Sequence, residues 1–313
     1  MIRIGLIRET KVPADNRVAL IPSQCKWLQK SFSSLKIYVQ PSADRCYTDK
    51  EYQVAGVELR EDLLDCDYLF GIKEVSIHDL IAGKKYLFFS HTRKLQDYNR
   101  SLFRSIIDKK ITLIDYECMV HDDGQRILGF GFFAGIVGAH NGMMAYGTRT
   151  GTYELPRVYQ HPGFKQLIHG YFGIRLPNIK IVLTGSGRVA HGLLEVMNLL
   201  GIIEVEPDEY LSRSFSYPVF TQLKGPLLFR HKINKNYRRE DFHKEPAEYE
   251  SLFNSYAEQS DILLNGIYWD PRMPRLFEWL RGRADRPPPP SNLNRFRALQ
   301  RRRGGRPGPS VRC

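Results

Sequence analysis

Five cysteines are all that the 313-residue sequence offers: Cys25, Cys46, Cys66, Cys118 and Cys313, with no C-x-x-C pair and one necessarily left over. That leaves no disulfide framework and no thiolate metal site, and it predicts a reduced, cytoplasmic setting. Long apolar runs are missing too. The longest, residues 130–139, is broken by glycines and is far shorter than a bilayer requires. The opening MIRIGLIRET puts Arg3 and Arg8 where a secretory signal needs an unbroken apolar region. No internal repeat is present, and His121, His140, His161, His169 and His191 show no ligand spacing, so no metal is expected. Lysine is absent after residue 280, although the preceding residues contain 17.

That last absence locates the charge. The net charge of +12 resembles a nucleic-acid signature until it is divided: residues 281–313 hold ten arginines and one acid, Asp285, so +9 sits there and +3 elsewhere. Arginine clusters can grip phosphates, and a basic-arm nucleic-acid-binding or adaptor protein is the competing function class. Only Phe296 interleaves those arginines, and the Pro, Gly and Arg content predicts a solvated tail instead. At the same boundary residue usage switches from Lys, Ile, Asn and Tyr to Arg, Pro and Gly. The switch predicts an out-of-frame tail on an incomplete second domain, with poor cofactor binding, little or no activity and a tendency to aggregate.

The rest has an ordinary globular composition, 42% hydrophobic and 26% charged. Strand and helix patterns alternate through the first half: IRIGLI, then a helix after Pro22 capped by Ser23, LKIYVQ, and a helix with a Thr48/Glu51 capping box closed by Gly56. DYLFGIKE, KYLFFSH, a helix at about 97–108 and ITLIDYE follow. From Gly131, GFFAGIVGAHNGMMAYG reads as a long helix whose small residues permit close approach. IKIVLTGSGRVAHG opens a second unit, with YPVFTQL and SDILLNGIYW as later strands and a charged stretch between them ending in a helix from about residue 247. Such alternation predicts an α/β chain with mostly parallel sheets.

Two places carry chemistry. The apolar strand ending at Leu183 runs into Gly185-Ser186-Gly187-Arg188-Val189-Ala190-His191-Gly192 and then an apolar helix, the context a dinucleotide turn requires. Gly185 makes the turn, Gly187 lets amides approach a pyrophosphate, and the helix N-terminus faces the negative charge. The acid that usually holds the ribose is missing; PVFTQLK offers Gln222 to the ribose hydroxyls and Lys224 to a 2′-phosphate, so NAD and NADP both stay open. In FFSHTRKLQ an apolar strand ends in His91, which is either an acid–base group or an ordinary histidine where the chain leaves the core.

RETKVPADNRVALIP, FGIKE, FFSHTRKLQ, GQRILGFGFFAGIVGA, GSGRVAHG and SDILLNGIYW occur in the order seen in lysine-forming saccharopine dehydrogenases, within the alanine dehydrogenase and pyridine nucleotide transhydrogenase superfamily. The sequence resembles that family from Ile4 to about Leu276. The resemblance implies two Rossmann-like domains with mostly parallel sheets around a cleft: a substrate and catalytic domain at 1–130, a linking helix and incomplete dinucleotide-binding domain at 131–280, and the tail at 281–313. It implies an oxidoreductase that converts saccharopine to lysine and 2-oxoglutarate with NAD, or alternatively NADP; alanine dehydrogenase and an inactive homologue are the alternatives within the family.

Site roles follow the same resemblance. Lys73 matches the lysine that accepts the substrate amine proton, and His91 the acid–base histidine of imine hydrolysis. Arg17, Gln96, Arg126 and Phe130 match substrate-holding positions, with Ile267, Tyr268 and Trp269 added from the later block. Gly185, Gly187, Arg188, Val189, Gln222 and Gly266 match cofactor positions, and Gln125 stands where relatives carry an arginine. The chemistry of these residue types agrees: a desolvated lysine near other cations titrates toward neutrality, and arginine forks suit a substrate with several carboxylates. The implied partner is a small amino-acid substrate, without membrane or nucleic acid, in an oligomeric state left open. The competing readings are a strand-end lysine paired with Glu74, a sheet-edge Arg17 and a core Phe130.

Overall fold

From Ile2 the chain enters a strand that becomes the centre of a doubly wound sheet. The computed structural model describes residues 1–12, 15–161, 163–268 and 270–277. These divide into a unit of Met1–Gly129 and a second that begins at Phe130. Trp269 and the basic tail lie outside the described residues.

The first unit runs β1 (Ile2–Leu6), α1 (Pro22–Ser31), β2 (Leu35–Val39), α2 (Asp49–Val54), β3 (Glu58–Leu59), β4 (Tyr68–Phe70), β5 (Lys85–Phe88), α3 (Arg100–Asp108) and β6 (Thr112–Asp115). All six strands are parallel, in the order β3-β2-β1-β4-β5-β6. The chain builds outward from β1 on one side and then restarts at β4 on the other. The carboxyl ends of β1 and β4 therefore flank a topological switch point, where the two crossovers leave on opposite faces and open a crevice. Both faces are covered: Leu6, Ile37, Val39 and Tyr52 form one cluster, and Tyr38, Leu69, Tyr86, Phe88, Leu102 and Ile106 the other.

Two local expectations need adjusting. Ser23 does not cap α1. Pro22 occupies the first turn, Ile21 is the cap, and the Ile21 N–H donates to Gln24 Oε1 at 3.0 Å. Proline fits there because its missing N–H has no helical partner to lose. The helix placed at 97–108 opens instead with a 3-10 turn at Asp97–Asn99 and becomes α-helical at Arg100. The Thr48/Glu51 box is present in both directions, with the Thr48 N–H on Glu51 Oε2 at 2.6 Å and the Glu51 N–H on Thr48 Oγ1 at 3.3 Å.

The second unit comprises α4 (Gly131–Thr150), α5 (Phe164–His169), β7 (Lys180–Thr184), α6 (Arg188–Leu199), β8 (Ile203–Glu204), α7 (Pro207–Ser212), β9 (Val219–Leu223), β10 (Phe229–His231), α8 (Arg239–Lys244), β11 (Tyr249–Ser251), α9 (Asn254–Gln259) and β12 (Ile262–Asn265). Its main sheet is parallel in the order β12-β7-β9-β8. Glycines on two helices let α4 and α6 touch along their backbones. A Cβ on Gly135 would run into the Val189 carbonyl oxygen, and one on Gly192 into that of Phe132. The charged stretch before β12 ends in a helix, α9, but that helix starts at Asn254 and not at about residue 247. β10 and β11 pair antiparallel there, because Phe229, Phe242 and Tyr249 pack together while Arg230 and Glu250 pair outside at 2.7 Å. Among the described residues no helix is long and apolar enough to cross a membrane.

Candidate active site

In the first unit, charged groups gather where β1, β4 and β5 end. Past Phe70 the chain buries Gly71 and Ile72 and then presents Lys73 and Glu74, both half-buried. Glu74 is the hub. Its Oε2 accepts from Lys11 Nζ at 2.5 Å and its Oε1 lies 2.6 Å from His91 Nδ1. Burial works against ionising Glu74, but the hydrogen bonds from Lys11 and His91 outweigh it and hold the carboxyl below its usual range. An ionised carboxylate only accepts, so His91 Nδ1 carries the proton and Nε2 is left as the nitrogen that can give and take one.

The backbone of His91 is unusual. Its φ is 55°, in the left-handed region that a residue with a Cβ enters at a cost. Ser90 holds the turn in place: it is buried, its hydroxyl donates to Asp115 Oδ2, and its Oγ accepts the Thr92 N–H at 3.1 Å. Lys73 titrates below its ordinary value. Burial is the main cause, the nearby Arg17 and Lys11 cations add to it, and Glu74 and Asp15 oppose.

The positions expected to hold substrate are less open than their residue types suggest. The guanidinium of Arg17 forms a fork with Asp15, through Nε on Oδ1 at 2.7 Å and through Nη2 on Oδ2. Arg126 Nη2 donates to Glu117 Oε1 at 2.9 Å, and Lys94 Nζ lies 3.4 Å from the same oxygen. Glu117 is buried, and its Oε2 has no hydrogen-bond partner among the described residues. Gln96 is exposed on the turn after His91. Phe130 belongs to the second unit, exposed at the start of α4. Sequence reasoning missed Glu9, Lys11, Asp15, Glu74, Lys94 and Glu117 as site members. The one signal they left was acids and lysines beside the chosen residues, as in RETK and GIKE.

In the second unit the site is made of backbone. Gly185 has φ 98°, and a Cβ there would fall 2.7 Å from the Gly266 carbonyl oxygen. The Gly185 N–H donates to Leu223 O at 2.9 Å, and the Gly266 N–H to Thr184 O at 2.9 Å. Thr184 Oγ1 also donates to Asn265 Oδ1 at 2.6 Å. The ends of β7, β9 and β12 are thus tied together, with β9 and β12 on opposite sides of β7. A Cβ on Gly187 would meet nothing within 4 Å, so space is open before the N-terminus of α6. No side chain caps α6, and its first turn holds no acid. The amide-bearing, positive end of a twelve-residue helix facing open space suits a pyrophosphate, so these residues fit a dinucleotide.

The other positions expected to hold the cofactor are placed as follows. Gln222 Nε2 donates to Gly185 O at 2.7 Å, committing that nitrogen to the turn, while Lys224 just beyond β9 is exposed. Arg188 begins α6, with its Cβ against Gly131 of α4. Val189 packs against the cluster under α4, Ile267 against the cluster on the other face, and Tyr268 is exposed. The sequence did not register β8: the strand after α6 is two residues long and lies at the sheet edge, so β9 is the neighbour of β7.

Residues 5–137 match the family described as alanine dehydrogenase/PNT, N-terminal domain. The chain is 34% identical over 297 residues to mitochondrial alpha-aminoadipic semialdehyde synthase of Rattus norvegicus, a match covering 87% of this chain and 32% of that protein. It is 28% identical over 226 residues to a saccharopine dehydrogenase (NAD(+), L-lysine-forming) of Candida glabrata, covering 65% of this chain and 58% of that one. The chain is a relative of the saccharopine and alanine dehydrogenases. It spans about a third of the length of the semialdehyde synthase and under two thirds of the yeast enzyme. Among solved structures, an L-alanine dehydrogenase aligns at 14% identity with a TM-score of 0.48, covering 84% of this chain and 65% of that one.

Proposed function

We propose that this saccharopine dehydrogenase-like chain is an NAD(P)-dependent oxidoreductase acting on a CH–NH group. Its reaction takes saccharopine, oxidised nucleotide and water to L-lysine, 2-oxoglutarate and reduced nucleotide. The observation that carries the reading is the Lys11–Glu74–His91 chain beside a half-buried Lys73, at the ends of neighbouring strands. The bound nicotinamide supplies the hydride acceptor. Lys73, whose amine is pushed toward neutrality, takes the proton from the substrate's secondary amine. His91 Nε2 then removes a proton from the attacking water and returns one to the departing amine, while Glu74 holds the ring and offsets its charge.

Arg17, Gln96, Arg126 and Phe130, with Ile267, Tyr268 and Trp269, hold the substrate in this reading. Arg17 and Arg126 exchange Asp15 and Glu117 for substrate carboxylates, or share them. Gly185, Gly187, Arg188, Val189 and Gly266 hold the nucleotide. Gln222 in place of a carboxylate removes the charge that would repel a 2′-phosphate, and the exposed Lys224 attracts one, so NADP is accommodated as well as NAD. The reduced, cytoplasmic setting expected from the cysteines belongs to the same proposal.

Reduced-nucleotide formation with saccharopine and with alanine tests this reading against the alternative, drawn from the residue usage beyond 280, of poor cofactor binding and little or no activity. At least about a tenfold higher kcat/KM for saccharopine is expected, since three carboxylates engage the clamps where alanine offers one. A preference for alanine overturns the assignment. Binding titrations with NADH and NADPH measure the nucleotide step without turnover.

A further inference from the structure

Glu9 stands outside the roles assigned so far, yet it touches the element that carries Lys73. The Ile7 N–H donates to Phe70 O at 3.0 Å, and the ladder between the extensions of β1 and β4 goes no further. Glu9 continues it with a side chain: Oε1 accepts the Ile72 N–H at 2.6 Å and Oε2 the Lys73 N–H at 2.8 Å. Gly71 sits close by: a Cβ on it would fall 2.8 Å from Ile7 Cδ1, the movable end of a side chain, and at an ordinary contact distance of 3.4 Å from Glu9 Oε1. We propose that Glu9 is a positioning residue, whose two carboxylate oxygens fix the 71–74 turn and thereby aim the Lys73 amine and set Glu74 against His91.

The chemistry of the clamp is specific. Two adjacent amides need two acceptors at one carboxylate spacing. Glutamine offers one acceptor and sets an NH2 against the other amide; aspartate is one methylene short. Glu9 faces Asp15, Arg17 and Tyr116 besides the two amides. Burial pushes its carboxyl up to about 7, with Asp15 adding to the rise and the amides and Arg17 opposing it. A protonated Glu9 accepts less well at the oxygen that carries the proton, so the clamp loosens below neutrality.

The inference rests on Lys73 and His91 being the working groups, and its test needs neither substrate nor cofactor. In the whole chain, amide exchange of Ile72 and Lys73 is measured relative to intrinsic rates, with the pH profile of Lys73 acylation read by mass spectrometry. Glu9→Gln should speed exchange at those two amides by at least about tenfold and leave β6 unchanged. It should also move the Lys73 acylation midpoint by about half a pH unit or more, and Glu9→Asp should fall between. In the unsubstituted protein the same amides should lose protection as pH drops through about 7, a result that requires no variant. Unchanged exchange in folded Glu9→Gln overturns the proposal, as does faster exchange with an unmoved Lys73 profile. Absence of saccharopine turnover with the predicted exchange and acylation changes counts against the reaction and leaves the clamp standing.

Discussion

At the strand ends of the first unit stand Glu9, Lys11, Lys73, Glu74 and His91; at those of the second stand Gly185, Gly187, Gln222 and Gly266. One site is an assembly of ionisable side chains that set one another's protonation. The other is an opening left where side chains are missing, with backbone amides and a helix end turned toward it. Both lie at the carboxyl ends of parallel strands beside a crossover reversal, so the same topology supports two kinds of chemistry. The charged site fails when one partner of a mutually neutralising pair is lost. The glycine site fails when something is added.

The largest expected effect comes from adding a side chain where the second unit has no space. Gly192→Val drives a Cβ into the Phe132 carbonyl oxygen and should cost at least about 3 kcal/mol in denaturant unfolding, while Gly187→Ala, facing open space, should cost less than about 1 kcal/mol. Equal losses would break the distinction. Next, Lys73→Met should lower kcat by about 100-fold or more and leave nucleotide affinity within about twofold. A parallel loss of nucleotide affinity would show that the two sites are not separable. Then His91→Gln should slow turnover by about 10-fold or more and flatten the pH profile of kcat; a retained profile would return His91 to a structural role.

The smallest effect is the most diagnostic of environment, because the two units should respond to pH with opposite sign. His140, fully buried, accepts from the Tyr171 hydroxyl at Nδ1 (2.9 Å) and donates from Nε2 to Pro156 O (2.8 Å), and burial pushes its pKa below the usual 6.5, with His161 adding to the effect. The unfolded chain binds that proton first, so this contribution is intact above about 6.5 and lost as pH falls below it. Glu9 is raised from 4.5 to about 7, so the folded state holds its proton more tightly. Its contribution is present below 4.5 and lost as pH rises through about 7. Hydrogen exchange resolved by unit should therefore show the second weakening on acidification and the first on alkalinisation, when read at amides other than the clamped Ile72 and Lys73, whose local protection follows the ionised Glu9 carboxylate. Responses of one sign in both units would contradict these assignments.

The same contrast explains what could be read from the residues alone. The Gly185 turn was legible because strand, glycines and apolar helix are contiguous, and the Thr48/Glu51 box because its partners lie three apart. Lys73 and His91 were reached through the resemblance to saccharopine dehydrogenases. Their partners were not legible, because the contacts join distant positions: Lys11 with Glu74, Glu74 with His91, Glu9 with Ile72. Arg17 and Arg126 look like open clamps in sequence; Asp15 stands two residues from Arg17 and was in view, whereas the fold brings Glu117 to Arg126. β8 and the β10–β11 pair escaped because they are two and three residues long and carry exposed charges, too brief for a period of two to register.

The central claim is that backbone in the second unit holds the nucleotide while side chains in the first do the chemistry. Titration of the reduced nucleotides into the unsubstituted chain, Gly187→Asp and Lys73→Met tests it most directly. The carboxylate of Gly187→Asp enters open space before α6, so the fold should stand while affinity falls by about 100-fold or more, with Lys73→Met binding as the unsubstituted chain does. Undiminished binding by folded Gly187→Asp would contradict the account.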